Sequence, residues 1–288
     1  MPPRLTALRT RTQLRAAVTA LRVRNRRIAL VPTMGALHAG HIALAGLAAE
    51  HADDVCVSLF VNPTQFAPGE DLDRYPRDED GDRSKLEAAG VTLLWAPDAE
   101  EMYPRGFSTH VAMTGPACGL ETDFRPHFFQ GVATVVTKLL LQVLPDVAIF
   151  GEKDYQQLQV IRRLVRDLDI PVEIIGGATV REPDGLALSS RNAYLSPAER
   201  QRAPALNRTL RDAGLAALGG TEPADAEKTA VSALEAAGFG PVDYVAIRHA
   251  DTLAAVTAAD IAAGVPLRVL GAARLGGTRL IDNLDPRA

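Results

Sequence analysis

The chain of 288 residues has two cysteines, one tryptophan and only 5% aromatic residues. Cys56 falls in a strand-like run and Cys118 in a loop-like one. That placement excludes a disulfide framework and leads us to expect a reduced, cytoplasmic thiol inventory. No apolar run reaches the ~18 residues of a membrane span, so no membrane partner is expected. The net charge of −4 gives no polyanion-binding signal, which argues against nucleic acid as a partner. Lysine is scarce, with four among 31 basic residues. The first 27 residues contain eight arginines and no acid, a composition that transit peptides share. Leu14, Val18 and Leu21 nevertheless form a helical stripe, and a core-like strand follows at once. The segment therefore reads as an amphipathic first helix with its arginines on a solvated face. No secretion signal, repeat or low-complexity tract is visible.

Apolar residues make up 47% of the chain and charged residues 23%, ordinary values for a globular protein. The length suggests two domains. Strand-like runs at Ile28–Val31, Val55–Val61, Val91–Trp95, Asp146–Phe150 and Val172–Ile175 alternate with helical patterns near 78–89, 131–143 and 155–168. Alternation of this kind predicts a parallel sheet with right-handed crossovers. After Gly176-Gly177 the pattern changes to Ala-rich helices near 197–217 and 224–237. Three short strands follow at Val242–Ile247, Pro266–Leu270 and Thr278–Ile281. We therefore expect an α/β domain over residues 1–178 and a smaller α+β domain over 179–288, with the boundary near 177–181.

The most informative stretch is Pro32-Thr33-Met34-Gly35-Ala36-Leu37-His38-Ala39-Gly40-His41, set between a strand-like and a helix-like run. It places two imidazoles and free backbone N–H groups at a helix N-terminus beyond the carboxyl end of a strand, a site suited to phosphate. Gly40 permits close backbone approach there. The histidines also fit a plain helix cap. Zinc is discounted, since i and i+3 histidines need a further ligand and none is offered nearby.

Three other segments carry chemistry. Asn62-Pro63-Thr64-Gln65-Phe66 follows a strand, and Gln65 can both donate and accept to a hydroxylated or carboxylated ligand, although Asn and Pro also simply make turns. Gly151-Glu152-Lys153-Asp154-Tyr155-Gln156-Gln157 sits at another carboxyl edge. Its lysine, chosen against an arginine background, suits phosphate oxygens; a solvated helix start is the alternative. Leu188-Ser189-Ser190-Arg191-Asn192 offers two hydroxyls and a guanidinium, equally the makings of a cap or linker. Asp71, Asp73, Asp78, Asp80 and Asp82 form an acidic stretch, mostly solvated, from which one carboxylate could share a magnesium ion with nucleotide phosphates.

Taken together, these segments resemble the pantothenate synthetase family. The resemblance rests on residues 32–41, Phe60–Phe66, Tyr75-Pro76-Arg77, Gly151–Gln157, Asp184–Asn192 and Gly277–Asn283, six motifs in the family's order over nearly the entire chain. It implies a Rossmann-like nucleotidyltransferase domain with a smaller C-terminal domain, a cytoplasmic homodimer, and ATP-dependent condensation of (R)-pantoate with β-alanine. Pantothenate, AMP and pyrophosphate are the implied products, formed through a pantoyl adenylate. It further implies ATP contacts from Met34, Gly35, His38, Gly40, His41, Gly151, Glu152, Lys153, Asp154, Val180, Leu188, Ser189, Ser190 and Arg191. His41 is the expected proton donor. Among these, His38, His41, Lys153, Ser189, Ser190 and Arg191 are the implied catalytic groups, Gln65 and Gln157 hold pantoate, and Asp82 is offered to Mg2+. The chain departs from the family at Arg125-Pro126-His127-Phe128, where the usual Arg-Pro-Gly-His-Phe is altered. His127 is therefore given no role and Arg125 a supporting one.

Two rival functions share parts of this pattern. A nucleotidyltransferase acting on a phosphorylated acceptor would share the histidine turn but need no amine. A non-catalytic nucleotide sensor would not need the lysine and the Ser-Ser-Arg loop together.

Overall fold

The computed structural model describes residues 5–66, 69, 70 and 72–288. Asp71 of the acidic stretch lies outside the described residues. In chain order the elements are β1 (Thr6–Leu8), α1 (Arg11–Arg22), β2 (Ile28–Thr33), α2 (Ala39–His51), β3 (Asp54–Leu59), α3 (Glu79–Ala88), β4 (Leu93–Trp95) and α4 (Ala99–Met102). Next come α5 (Glu121–Phe124), α6 (Phe128–Val143), β5 (Val147–Gly151), α7 (Tyr155–Asp167) and β6 (Glu173–Gly177). The remainder comprises α8 (Pro197–Arg202), α9 (Ala205–Leu218), α10 (Pro223–Ala236), β7 (Val242–His249), α11 (Ala258–Ala262), β8 (Leu267–Leu275) and β9 (Thr278–Leu284).

Strands β1 to β6 form one parallel sheet in the order β1-β4-β3-β2-β5-β6. Side chains alternate across a strand, so β2 feeds two cores. Ile28 and Leu30 pack with α1, α6 and α7 on one face. Ala29 and Val31 pack with α2 and α3 on the other. Burial on both faces explains why β2, β3 and β5 read as continuous apolar runs rather than alternating ones.

The antiparallel sheet β7-β8-β9 belongs to a separate apolar cluster with α9 and α10, built on Leu206, Leu210, Leu234, Ile247 and Val269. A smaller cluster of Leu120, Tyr155, Ala246, Leu253 and Leu270 joins this region to the parallel sheet.

The single helix expected near 197–217 is two helices. Pro204 has no N–H to continue the ladder, so α8 ends at Arg202 and α9 restarts at Ala205. Strand β8 runs on to Leu275, because a tight turn at Gly276-Gly277 pairs it with β9 down to Leu275–Thr278. Strand β1 went unanticipated; three residues on a sheet edge leave no periodic signal. The arginines of the first helix are also more engaged than a solvated face implies. Arg22 bridges to Asp146 at 2.6 Å, Arg11 to Glu101 at 2.7 Å, and Arg15 donates to the Leu141 carbonyl at 2.7 Å.

Candidate active site

From β2 the chain proceeds outward through β3 and β4 in one direction, whereas β5 and β6 build in the other. The strand order therefore reverses between β2 and β5, and a crevice opens beyond their carboxyl ends, where ligands of open α/β sheets bind. The histidine turn leaves β2 there, and the Gly151–Asp154 turn leaves β5 beside it. Both line a cleft of about 590 Å³, whose other walls come from the segment after β3, from α6 and the residues before it, from residues 178–194 and from the C-terminal sheet.

His38 is the N-cap of α2, and its Nδ1 accepts from the Gly40 N–H at 3.2 Å. His41 returns the arrangement, its Nδ1 accepting from the His38 N–H at 3.3 Å. The two rings lie 4.1 Å apart, tilted by 38°. A Cβ on residue 40 would sit 3.0 Å from the His38 ring, which explains the glycine. An Nδ1 that accepts must carry its proton on Nε2, so each ring keeps an N–H donor. Burial is the main cause that lowers both pKa values, reinforced by Lys153 and Lys85 and, for His41, by His38. His41 falls to about 3. The expectation of functional histidines and that of a helix cap thus describe the same pair of side chains.

The loop entering this cap is held by Asp82, whose Oδ1 accepts from the Leu37 N–H at 2.7 Å. Lys85 donates to the Leu37 carbonyl at 2.8 Å and lies 3.5 Å from Asp82. Gly35 turns the loop at φ +86°, and a Cβ there would meet Asp82 Oδ2 at 3.2 Å. Neither Asp82 nor Gly35 is part of the cleft wall; both shape the loop behind it. Asp82 is 1% exposed and already neutralised by Lys85. Such a carboxylate does not fit the role of an added cation's ligand.

Lys153 lines the cleft from the 3-10 turn Glu152–Asp154, with its ammonium 3.7 Å from Asp154. Gly151 and Asp154 line it too, whereas Glu152 does not. The Glu152 carboxylate instead accepts from Arg268 at 3.2 Å.

The Ser189–Arg191 loop closes another wall. Ser189 caps the 3-10 turn Ser190–Tyr194 through the Arg191 N–H at 3.3 Å, and Leu188 N–H donates to the Val180 carbonyl at 3.0 Å. Val180, Leu188, Ser189, Ser190 and Arg191 all line the cleft. Arg181 anchors the hairpin behind them, gripping Asp282 bidentately at 2.7 and 2.9 Å. The Asp282 carboxylate also accepts from Asn207 at 3.0 Å.

Gln65, Gln157 and Met34 line the same cleft as the histidines. The Gln65 Oε1 accepts from Asn62 Nδ2 at 3.0 Å, so its amide N–H groups are the ones left for Met34 Sδ and the cleft. Tyr103 fixes Asn62 in turn, its hydroxyl donating at 2.8 Å. Arg125 lines the cleft, donates to the Gln65 carbonyl at 3.2 Å, grips Glu70 at 2.7 and 2.8 Å and lies over Phe128 at 3.9 Å. His127 is exposed and outside the cleft wall.

Sequence reasoning missed a buried cluster between the two sheets. Arg279 holds Glu121 bidentately at 2.8 and 2.9 Å and Asp243 at 2.6 Å, and the Tyr244 hydroxyl donates to Glu121 at 2.9 Å. Burial first, and then Glu121, keeps the Tyr244 pKa well above its ordinary value. Arg279 and Asp282 both sit in the quoted Gly277–Asn283 motif, which was the one available signal.

A parallel sheet whose switch point carries paired imidazoles, a lysine and a Ser-Ser-Arg loop defines a nucleotide-using α/β enzyme. Comparison with known proteins narrows that class. Residues 6–285 match the family model described as pantoate-beta-alanine ligase. The pantothenate synthetase of Rhodospirillum rubrum is 55% identical over 96% of this chain and 97% of its own length. That of Caulobacter vibrioides is 56% identical over 96% and 97%. The crystal structure of pantothenate synthetase from Thermus thermophilus superposes with a TM-score of 0.88 at 49% identity, covering 97% of this chain and 99% of that one. A Francisella tularensis pantoate-beta-alanine ligase, solved as a complex with beta-gamma ATP and beta-alanine, gives a TM-score of 0.81 at 32% identity over 99% and 98%. The chain belongs to the pantoate-β-alanine ligase family and is an ATP-dependent ligase of pantoate and β-alanine. The phosphorylated-acceptor and sensor alternatives fall away. Among the described residues, no helix is long and apolar enough to cross a membrane.

Proposed function

We propose that the cleft performs the ligation in two steps, through a pantoyl adenylate. A carboxylate oxygen of pantoate attacks the α-phosphorus of ATP in line, and the bond to the leaving pyrophosphate breaks. The neutral amine of β-alanine then attacks the pantoyl carbonyl carbon, the C–O bond to AMP breaks, and the amine proton is lost. Pantoate is already ionised at neutral pH, so the first step needs no general base. Its barrier is repulsion between anions and the charge that builds on the phosphates.

Lys153, Arg191 and the Ser189 and Ser190 hydroxyls stabilise that charge. His38 and His41 act as neutral Nε2–H hydrogen-bond donors rather than as cations, which recasts the proton donor expected at His41. Preorganised positioning of the two reactants supplies a further ~7–11 kcal/mol. Gln65, fixed by Asn62 with its N–H groups inward, and Gln157 hold the pantoate oxygens. Residues 179–288 serve as the lid of the nucleotide-binding unit formed by 1–178, excluding water from a mixed anhydride that hydrolyses.

Magnesium enters with the phosphates and neutralises their charge when bound. Among the described residues no three His, Cys, Asp or Glu side chains converge to hold a metal, so no protein-built site is assigned. The resemblance also supports a cytoplasmic homodimer, which sedimentation equilibrium tests.

The observation that carries this reading is the meeting of the histidine cap and the Lys153 turn at one switch point. Purified protein incubated with ATP, magnesium and pantoate should release pyrophosphate and hold pantoyl adenylate by mass spectrometry before β-alanine is added. Pyrophosphate release that requires β-alanine, with no adenylate detected, refutes the two-step reading.

A further inference from the structure

The turn that presents Lys153 is held by the antiparallel sheet. Asn283, on β9 of the antiparallel sheet, is 2% exposed. Its Nδ2 donates to two consecutive carbonyls, those of Glu152 at 3.0 Å and Lys153 at 2.8 Å. Its Oδ1 accepts from Arg268 Nε at 2.7 Å. That bond fixes which way the amide points, so both amide hydrogens face the turn. Arg268 grips the same turn, reaching the Glu152 carboxylate at 3.2 Å and lying 4.1 Å over the Tyr155 ring. The Asn283 backbone N–H is tied to Asp282 Oδ1 at 2.7 Å, and Asp282 is the carboxylate that anchors Arg181 behind the Ser189–Arg191 loop.

We propose that Asn283 is a positioning residue for Lys153: its carboxamide, oriented by Arg268, sets where the lysine enters the cleft. The inference rests on the reading of Lys153 as a phosphate-binding group. A lysine stem has four rotatable carbons, so its ammonium is only as well placed as the backbone that carries it. A single buried amide with both hydrogens spent on adjacent carbonyls fixes that backbone against β9. Through Asp282 the same strand end carries the Ser189–Arg191 loop. The C-terminal sheet thereby sets the lysine and the serine-arginine wall relative to each other.

The test is a double-mutant cycle on pyrophosphate release with ATP and pantoate. Asn283→Asp is isosteric and keeps the acceptor for Arg268, but it loses both donors to the turn. The expected result is a rate about 10- to 100-fold below wild type, the penalty of a misplaced group, with the KM for β-alanine in the overall reaction unchanged. In a Lys153→Ala background the same change should cost less than about 2-fold, since Asn283 acts through that lysine. A full, additive loss on top of a slow Lys153→Ala enzyme overturns the inference while leaving the role of Lys153 intact. A Lys153→Ala enzyme as fast as wild type removes both. Should Asn283→Asp not fold, Arg268→Met replaces it in the cycle. That change keeps an apolar stem on Tyr155 but frees the Asn283 amide to turn, and the same outcomes decide.

Discussion

Gly40→Ala separates the structural from the chemical duty of the histidine cap. The added Cβ would lie 3.0 Å from both Cε1 and Nδ1 of His38, so the ring must retreat by a few tenths of an ångström. Its Nδ1 is already 3.2 Å from the Gly40 N–H, and such a retreat takes the cap bond to the limit of a hydrogen bond. Loss of a cap costs ~1 kcal/mol. Replacing glycine by alanine within a helix returns up to ~1 kcal/mol. The two effects nearly cancel, so thermal unfolding should move by no more than a few degrees. The Nε2–H, by contrast, moves with its ring, and since a misplacement of about 1 Å costs up to ~100-fold, a shift of a few tenths of an ångström costs roughly 10-fold or less. Pyrophosphate release should fall roughly 3- to 10-fold while the melting curve, followed by circular dichroism, stays in place. A variant with wild-type rate and stability would show that the His38 geometry is not needed. One that lost both together would show only that α2 needs the glycine to form.

Four further outcomes follow from the same contacts. Lys153→Ala should slow pyrophosphate release by ~100- to 1,000-fold, the loss expected for one donor aimed at transition-state charge; an unchanged single-turnover rate contradicts that placement. His41 is neutral in the fold down to about pH 3 but titrates near 6.5 when unfolded, so the unfolded chain binds the extra proton between those values. Its contribution to stability is therefore whole above pH 6.5 and falls as the solution is acidified. At pH 5 the loss is about 2 kcal/mol relative to pH 7; urea denaturation of wild type and His41→Asn should show that difference shrinking with acid, and a constant difference is evidence against it. Asp82→Ala should cost about 1–3 kcal/mol by orphaning the Leu37 N–H, with the magnesium requirement of the remaining activity unmoved; a raised requirement would return Asp82 to the metal. Tyr244→Phe should destabilise by roughly 1–2 kcal/mol, because Glu121 keeps both Arg279 bonds, and a larger loss in urea melts would mean the hydroxyl holds the two sheets together.

Much of the parallel sheet was legible because strands buried on both faces leave long apolar runs, and the motifs sat at their carboxyl ends. His38, His41, Lys153, Gln65 and Ser189–Arg191 were each visible as unusual residues at a turn. The sequence could not show that strand order reverses between β2 and β5, since that is a matter of pairing between distant segments. Nor could it separate residues that face the cleft from those that hold it. Gly35, Asp82 and Glu152 lie within motifs yet spend their contacts on the loops behind the wall. Asn283, Arg268 and Arg279 act across more than a hundred residues of chain, and nothing local marks a side chain for such a contact.

The central claim is that pantoate is activated by bonding its own carboxylate oxygen to the α-phosphorus of ATP. Pantoate labelled with 18O in its carboxylate tests this directly, when the products of a full turnover with ATP and β-alanine are weighed by mass spectrometry. The two-step chemistry predicts one 18O atom in every AMP formed and none in pyrophosphate. Unlabelled AMP, or label in the pyrophosphate, would contradict it.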